Sequence, residues 1–361
     1  MTGRPLLALG LDGVATGPET VTGAFWTRMI GLAAHAGVDF VTMDDSMARP
    51  ASSGPQPLPG GRLDAISLLA YAAPSVFGLG LVAAVTTTYT EPFHVSAGLA
   101  TLDHISGGWA GWLIRPSVRA AEARHFGRAA APSRQEAWIE AGEVADTVVD
   151  LWDSWQDGAE IRDRATGCFL NADLLHPPGP HGRFHVQGPS ITPRPPQGRP
   201  VIVVALDTDP CAAQLATAAR CADVVLLPAT DLVSGRELCA GLRGRAAAHG
   251  RHPDHLKVLT RLVVGTAGSG PGVHGPARGV GDVGDLALGL EDWYGLGGAD
   301  GVHVSLDAPS DELPALAGEV LPLLAASNIP APTGEPAGML RTRLGLPRVD
   351  GRRHPSIEEG R

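Results

Sequence analysis

Long hydrophobic runs and basic clusters are both missing from this sequence. Its apolar stretches are broken by glycine, proline or charge before the roughly 18 residues that would suggest a membrane span. The net charge of -10 is spread along the chain, and no basic run is present that would neutralise a nucleic-acid backbone. We therefore expect neither a membrane protein nor a nucleic-acid-binding protein.

The four cysteines lack the spacing of a metal site. Cys168, Cys211, Cys221 and Cys239 show no CxxC pattern and no adjacent histidine ligands, which argues against zinc. No basic, hydrophobic, small-residue signal peptide opens the chain. We interpret the cysteines as reduced and expect a cytoplasmic protein.

Three common catalytic or cofactor motifs are also missing. The sequence has no GxSxG nucleophile motif, no P-loop, and LGLDGVATG in place of a GxGxxG dinucleotide fingerprint. Serine hydrolase, P-loop nucleotidase and Rossmann-type dehydrogenase chemistry thus find little support.

What the sequence does contain is a regular alternation of short apolar runs and helical patterns. Hydrophobic residues make up 44% and charged residues 18%, which is typical of a globular protein. Eight runs are predicted to be strands: 6–14, 38–46, 78–87, 109–115, 199–207, 222–228, 256–265 and 299–305. Eight strand–helix units with right-handed crossovers predict a (β/α)8 TIM barrel. The rival, a doubly wound sheet, would favour a glycine-rich phosphate fingerprint after the first strand.

The chain is predicted to be one barrel domain over residues 1–361, with two interruptions. Residues 156–200 are rich in Pro, Gly and His and are predicted to be an excursion between strands four and five, with one short hairpin around GRFHV (182–186). The glycine-rich run at 265–285 predicts a flexible loop, because it offers little apolar area to offset the entropy of ordering. A last helix is predicted at 311–326.

Four blocks carry a family resemblance. They are TTTYTEPFHVSAGLATLDHISGGWAGW (86–112), LWDSWQDGAEIRDRATGCF (151–169), GRFHVQGPSITPRPPQGRPVIV (182–203) and LRTRLGLPRV (340–349). Together they resemble the bacterial luciferase-like monooxygenase superfamily, and within it the nitrilotriacetate and dibenzothiophene-sulfone monooxygenase branch. The blocks recur in the family's order and span most of the chain.

The resemblance implies a barrel that binds reduced FMN (FMNH2), supplied by a separate NAD(P)H:flavin reductase. With O2 as co-substrate, such an enzyme oxygenates a small organic substrate, and its barrels commonly form homodimers. The protein's part in such chemistry is mainly to place the flavin, exclude water and tune the ring.

Cofactor-binding positions follow from the resemblance at the ends of strands two and three. Asp45 lies where the family carboxylate approaches the flavin, although it could equally be a helix-capping or loop-ordering aspartate. Thr86, Thr87 and Thr88 match a segment whose hydroxyls and backbone face the cofactor, and are also ordinary strand residues.

The segment after strand four both matches and departs from the family pattern. Trp112 and Ser117 match, whereas Leu113 replaces an asparagine whose amide could hydrogen-bond the flavin. Arg115 is not predicted by the pattern; it would supply a cation near phosphate, or be a surface residue. Arg124 is retained and followed by His125, which is either a catalytic proton donor or a helix-end histidine.

The turn after strand five is the most serious departure. Family members place a small glycine–serine turn there for the FMN phosphate, whereas this chain has Asp207, Thr208 and Asp209. Two carboxylates repel a phosphate unless they point away or pair with a cation. Only Thr208 is retained here as a candidate flavin ligand.

The substrate is predicted to be small and largely apolar. Met43, Met47, Tyr89 and Phe126 are the expected pocket residues. Phe25, Trp26 and Trp109 are further apolar candidates, and any of the seven could be ordinary core.

Two other functions stay open. An F420-dependent oxidoreductase could use the same barrel. Leu113 and the Asp207–Asp209 turn also leave room for a flavin-free member that serves as a binding or scaffold subunit, or for a cofactor-independent enzyme.

Overall fold

A computed structural model describes residues 5–11, 18–47, 62–228, 232–264, 279–280, 298–306, 313 and 338–351. The predicted flexible loop at 265–285, apart from 279–280, and the predicted helix at 311–326, apart from 313, lie outside these residues. No helix within the described part of the chain is long and apolar enough to cross a membrane.

Eight parallel strands form a closed barrel, which confirms the predicted fold. The barrel strands are β1 (Leu6–Gly10), β2 (Phe40–Met43), β3 (Gly80–Thr86), β4 (Ala110–Arg115), β7 (Val201–Ala205), β8 (Val224–Pro228), β9 (Lys257–Val264) and β11 (Gly301–Leu306). Each pairs with its neighbour along the chain, and the β11–β1 pairing closes the ring. A two-residue strand, β10 (Gly279–Val280), lies beside β9.

Helices surround the barrel. They are α1 (Gly23–His35), α2 (Ala65–Ala72), α3 (Pro92–Ser106), α4 (Ala120–His125), α5 (Arg134–Trp152), α6 (Ala212–Cys221), α7 (Leu232–Ala248) and the short C-terminal α8 (Leu340–Arg343). Short 3-10 turns lie at Pro18–Val21, Ala73–Ser75, Ala172–Leu174 and Pro253–His255.

Local sequence signals determine where these helices begin and end. Ser133 and Glu136 form a reciprocal capping box at the start of α5. Helix α3 has Pro92 in its first turn and ends at Gly107, whose φ of 68° is the left-handed conformation that favours glycine.

The excursion between β4 and β7 is present, but its hairpin lies earlier than predicted. Strands β5 (Glu160–Asp163) and β6 (Cys168–Leu170) form a two-stranded antiparallel sheet. At the predicted position, one bridge joins His181 to Phe184. The sequence between them, GR, allows a tight turn, but no further strand pairing follows.

Strand side chains alternate between the barrel interior and the helical layer. Leu6, Phe40, Val82 and Leu113 belong to the interior cluster, and α8 closes the bottom of the barrel because Leu340 packs among them. Gly80 fits there only as glycine, since a Cβ would lie 2.5 Å from that of Phe40.

Three aspartates stabilise the N-terminal end of the barrel in the same way. Each precedes a strand, accepts a backbone N–H from a neighbouring strand and pairs with an arginine: Asp39 with Leu7 and Arg343, Asp223 with Ile202 and Arg341, and Asp300 with Val258 and Arg243. Two of these arginines belong to the LRTRLGLPRV block, which is therefore structural. The face that remains open for function is the opposite one, where the strands end.

Candidate active site

An arginine and an aspartate meet across the mouth of the barrel. Arg115 at the end of β4 pairs with Asp44, which directly follows β2, with 2.6 Å between Nη1 and Oδ1. Arg62 approaches the same carboxylate at 3.5 Å. The Asp44 side chain is only 10% exposed, so this ion pair is partly shielded from water.

Asp44 was not singled out from the sequence, whereas its neighbour Asp45 was the predicted flavin-facing carboxylate. The Asp45 carboxylate instead accepts the backbone N–H groups of Ser46 and Ala65, at 2.7 and 3.1 Å. Burial raises the pKa of Asp45 despite those hydrogen bonds. Asp45 therefore orders the β2 loop and the start of α2, which is the loop-ordering alternative.

The threonines that follow β3 meet the segment that follows β4. Thr86 is buried beside Arg115 in the strand register. The Thr88 hydroxyl accepts the backbone N–H of Ser117 at 2.8 Å. Thr87 is also buried, and within the described part of the chain its hydroxyl has no hydrogen-bond partner.

Glu122 of α4 ties the loops after β2 and β4 together. Its carboxylate accepts hydrogen bonds from Ser46 at 2.8 Å, from Arg119 at 2.6 Å and from Ser117. Burial on its own would raise the pKa of Glu122, but the hydrogen bonds from Arg119, Ser117 and Ser46 lower it to about 2. The carboxylate is therefore ionised at neutral pH and holds the loops after β2 and β4 together.

The end of α4 carries His125 and Phe126 on the same rim. His125 Nδ1 donates to the Met47 carbonyl at 2.8 Å, which fixes the ring and leaves Nε2 for another partner. Phe126, which is 43% exposed, stacks on Tyr89 with 4.5 Å between ring centroids. Burial raises the pKa of the Tyr89 hydroxyl.

Arg124 and Thr208 are surface residues. Arg124 is exposed on α4, and Thr208 lies in the exposed turn after β7. Asp207 in that turn lies 3.8 Å from the Arg134 Nε, and Arg134 also donates to the Asp209 carbonyl at 2.8 Å. The turn therefore has a compensating cation.

Several expected site residues do not reach the mouth. Trp112 faces the helical layer, where its ring packs edge-on against Trp152 with 6.3 Å between centroids. Met43 also belongs to the outer core, as do Phe25 and Trp26 of α1. Trp109 precedes β4 and packs with the interior cluster at the closed end of the barrel.

Leu113 does face the interior, where the family asparagine was expected. It is 5% exposed and packs in the interior cluster. Its register neighbour Ala84, together with Ala205 and Gly10, places small residues at the interior positions on β1, β3 and β7. Leu113 and Ala84 thus form an apolar layer beneath the polar residues at the ends of β3 and β4.

His303 is a polar residue inside the barrel that was not predicted from the sequence. His303 of β11 contacts the Thr42 hydroxyl through Nε2 at 2.9 Å and the Ser305 hydroxyl through Nδ1 at 3.4 Å. Arg261 of β9 is its register partner. The signal that could have revealed it is a histidine in the centre of an apolar strand, DGVHVS. Within the described ranges, no set of three or more His, Cys, Asp or Glu residues is suited to a metal ion.

Comparison with known proteins agrees with this architecture. Residues 12–268 match the model of the Luciferase-like monooxygenase family, and the chain belongs to that family. It is 36% identical over 251 residues to nitrilotriacetate monooxygenase component A of Aminobacter aminovorans, covering 66% of this chain and 55% of that protein. It is 34% identical over 202 residues to dibenzothiophene-sulfone monooxygenase of Rhodococcus erythropolis, covering 56% and 44%. The predicted family and branch are confirmed.

The chain also matches a relative of about its own length. The chain spans only about half the length of the two preceding relatives, at 55% and 44%. By contrast, one subunit of the pristinamycin IIA synthase of Streptomyces pristinaespiralis is 32% identical over 354 residues, covering 96% of this chain and 97% of that protein. Among solved structures, a long-chain alkane monooxygenase shares the fold with a TM-score of 0.82 at 20% identity, covering 96% of both chains.

Proposed function

We propose that this chain is the oxygenating component of a two-component monooxygenase that uses reduced FMN and O2. Family membership supports the reaction class. The observation that carries the proposal is the grouping of Thr86, Thr88, Arg115 and Ser117 at the ends of two adjacent strands, on one side of the mouth. Hydroxyls and a guanidinium above an apolar floor suit a flat ring with a polar edge.

Three features of the mouth suit a flavin. The interior positions at the ends of β1, β3 and β7 carry small residues, Gly10, Ala84 and Ala205, and Leu113 beside them is apolar. The buried Thr87 hydroxyl has an unused hydrogen-bonding capacity within the described residues. When bound, reduced FMN would supply the electrons that activate O2.

The phosphate of the flavin would meet a rim of nearly balanced charge. Asp207 is offset by Arg134, so the turn after β7 does not present two uncompensated carboxylates. Arg115 and Arg62 share Asp44 and could offer further N–H donors to an anion. We propose that Arg115 and Thr208 contribute to the phosphate side of the site, with Arg124 at the exposed edge.

His125 is our candidate for proton transfer. The hydrogen bond from Nδ1 to the Met47 carbonyl holds the ring and leaves Nε2 to face a ligand at the rim. Tyr89 and Phe126 form an aromatic stack beside it, with the Phe126 ring partly exposed. These contacts support a small, largely apolar organic substrate.

Cofactor titration tests this function. Purified protein is titrated anaerobically with reduced FMN, and separately with oxidised FMN and with F420, while absorbance is followed. Binding of reduced FMN, and oxygenation of a flat apolar substrate only when an NAD(P)H:flavin reductase is added, are expected. Failure to bind either form of FMN would overturn the flavin-dependent function, binding of F420 alone would favour the deazaflavin alternative, and turnover without a reductase would contradict the two-component scheme.

A second candidate is that the chain acts as one subunit of a two-subunit enzyme. It is favoured by the end-to-end match to a protein that is named as a single subunit of a synthase. In this case the flavin would bind mainly to the second subunit. This chain would then tolerate Leu113, whose side chain cannot hydrogen-bond a flavin. The cofactor titration separates the two candidates, because a supporting subunit would bind FMN only after a second, related barrel chain is added.

We further propose that the chain forms a cytoplasmic homodimer through α2 and α3. Helix α2 contains no charged residue, and the one carboxylate of α3, Asp103, is buried. Yet Tyr71 and Ile105 on these helices are 64% and 46% exposed. On these two helices the outward face carries exposed apolar side chains and two histidines, His94 and His104, but no exposed Asp, Glu, Lys or Arg, which is unusual for a surface helix and typical of a protein interface.

A further inference from the structure

Three polar side chains form a hydrogen-bonded row inside the barrel, and one of them, Thr42, lies two residues before Asp44 of the Arg115–Asp44 pair. His303 on β11 reaches Thr42 on β2 across β1, and in the other direction it reaches Ser305, two residues further along its own strand. The intervening β1 residues are Ala8 and Gly10, which are small enough for the imidazole to lie over them. Thr42 and His303 are buried, whereas Ser305 is partly exposed at the mouth.

The imidazole of His303 is neutral in this environment. Burial, together with the neighbouring guanidinium of Arg261, lowers its pKa to about 3. The groups that face it are Arg261 from β9, Thr42 and Phe40 from β2, and Ser305. Within the described residues, no carboxylate contacts the ring to favour its protonated form.

A neutral imidazole has one donor and one acceptor nitrogen, so it holds both hydroxyls without a change in charge. If Ser305 donates to Nδ1, its oxygen can still accept from a ligand; if Nδ1 donates, the Ser305 proton is free for a ligand. In either case the Ser305 hydroxyl is held in place and keeps hydrogen-bonding capacity toward the interior. The ligand would approach along Gly10, which places no side chain beside Ser305.

Fold stability gives no reason for this row. Other strands fill the same interior with Leu113, Val203 and Leu259, which need no partners. Burying an imidazole and a hydroxyl is costly even when they are hydrogen-bonded, compared with aliphatic packing. Polar interior groups toward the strand ends of a TIM barrel are expected where a ligand binds.

We propose that the Ser305 hydroxyl contacts the hydrogen-bonding edge of the bound flavin ring, and that His303, itself held by Thr42, is the positioning residue for Ser305. This inference rests on the proposed flavin-dependent function. It adds a contact on the β11 side of the mouth, distinct from the Thr86–Ser117 side that the family resemblance indicated.

The test measures flavin binding rather than turnover. Dissociation constants for oxidised and reduced FMN, and the visible spectrum of bound FMN, are recorded for the wild type, Ser305→Ala and Ser305→Thr. Loss of one hydrogen bond should raise the dissociation constant of Ser305→Ala about fivefold and shift the spectrum. Ser305→Thr keeps the hydroxyl and should restore both, while melting temperatures stay close to that of the wild type.

A double-mutant cycle tests the positioning role of His303. Thr42→Val/His303→Leu removes both buried polar partners together, so that neither is left unsatisfied. If His303 acts through Ser305, adding Ser305→Ala to this variant should weaken FMN binding no further. Additive losses would overturn the positioning role.

Three results would separate this inference from the proposed function. Unchanged binding and spectrum in Ser305→Ala, with a wild type that binds FMN, would overturn the inference alone. A lower melting temperature with unchanged binding would assign Ser305 a structural role and also overturn it. A wild type that binds no form of FMN would overturn the proposed function, and the inference with it.

Discussion

Arg115 and Asp44 lie at the ends of β4 and β2 and pair across the end of β3, with 2.6 Å between Nη1 and Oδ1. The strand that they bridge ends in Thr86, so the ion pair lies above the threonine segment. The pair thereby fixes a guanidinium at the mouth of the barrel, where its remaining N–H groups can meet a ligand.

Arg115→Met should weaken binding of FMN. The substitution removes a cation at the mouth and leaves Asp44 with the more distant Arg62, at 3.5 Å. We expect about a tenfold rise in the FMN dissociation constant, equal to about 1.4 kcal/mol, measured by fluorescence quenching. Asp44→Asn/Arg115→Met is the control, since it removes the buried charge as well: it should recover stability but not FMN affinity. Recovery of affinity in the double variant would contradict a direct role for Arg115.

Restoring an amide at position 113 should strengthen flavin binding. Leu113→Asn places in the barrel interior the side chain that the family pattern predicts, at a cost of about 1–3 kcal/mol to the unliganded fold. We expect a lower melting temperature and a lower FMN dissociation constant. Leu259→Asn, a change to another interior leucine, should lower the melting temperature without improving FMN binding. Equal behaviour of the two variants would mean that position 113 does not face the flavin.

The sequence predicted the barrel well because strand and helix periodicities are local. Eight apolar runs separated by helical segments are compatible with few topologies, and the closed sheet confirms the predicted barrel. The predicted position of the hairpin, at 182–186, was wrong. A hairpin depends on pairing between two segments, and the two segments that pair lie at 160–163 and 168–170.

Side-chain direction was harder to predict than fold. Adjacent residues on a strand point to opposite faces, so Trp112 and Leu113 cannot both face the interior, and the structure places only Leu113 there. Asp44 and Asp45 are also adjacent, yet their side chains make different contacts: Asp44 pairs with Arg115, whereas Asp45 accepts a backbone N–H at the start of α2. The pairing of His303 with Thr42 joins residues 261 positions apart, and no local pattern encodes such a contact.

Glu122 should make stability depend on acid pH. Its pKa is lowered from 4.5 to about 2 in the folded chain, so its contribution is fully present above about 4.5 and is lost as the pH falls toward 2. Glu122→Gln should therefore be less stable than the wild type at pH 6, with a difference that shrinks below pH ~4. Urea unfolding at several pH values measures this. A difference that does not change with pH would show that the charge of Glu122 is not what stabilises the rim.

The arginine of α8 should matter for folding and not for ligand binding. Arg341 donates two hydrogen bonds to Asp223, at 2.8 and 2.9 Å, and both side chains are nearly buried. Arg341→Met leaves a buried carboxylate without its cation and should cost about 3–5 kcal/mol of unfolding free energy. Asp223→Asn/Arg341→Met should be less destabilised than the single variant. Affinity for FMN, measured below the melting temperature, should stay at the wild-type value, because this pair lies at the closed end of the barrel.

The proposed dimer is tested by placing a charge on the face of α2. Tyr71 is 64% exposed and its ring packs over Gly23, where an added Cβ would lie 2.5 Å from the tyrosine. Tyr71→Glu would desolvate a carboxylate in any interface formed by this face, so we expect a shift from dimer to monomer in light scattering. Phe169→Glu is the matched control, because Phe169 is 57% exposed on the separate hairpin strand β6 and should leave the dimer intact. A monomeric wild type would refute the dimer itself, whereas a dimeric Tyr71→Glu variant would place the interface on another face of the barrel.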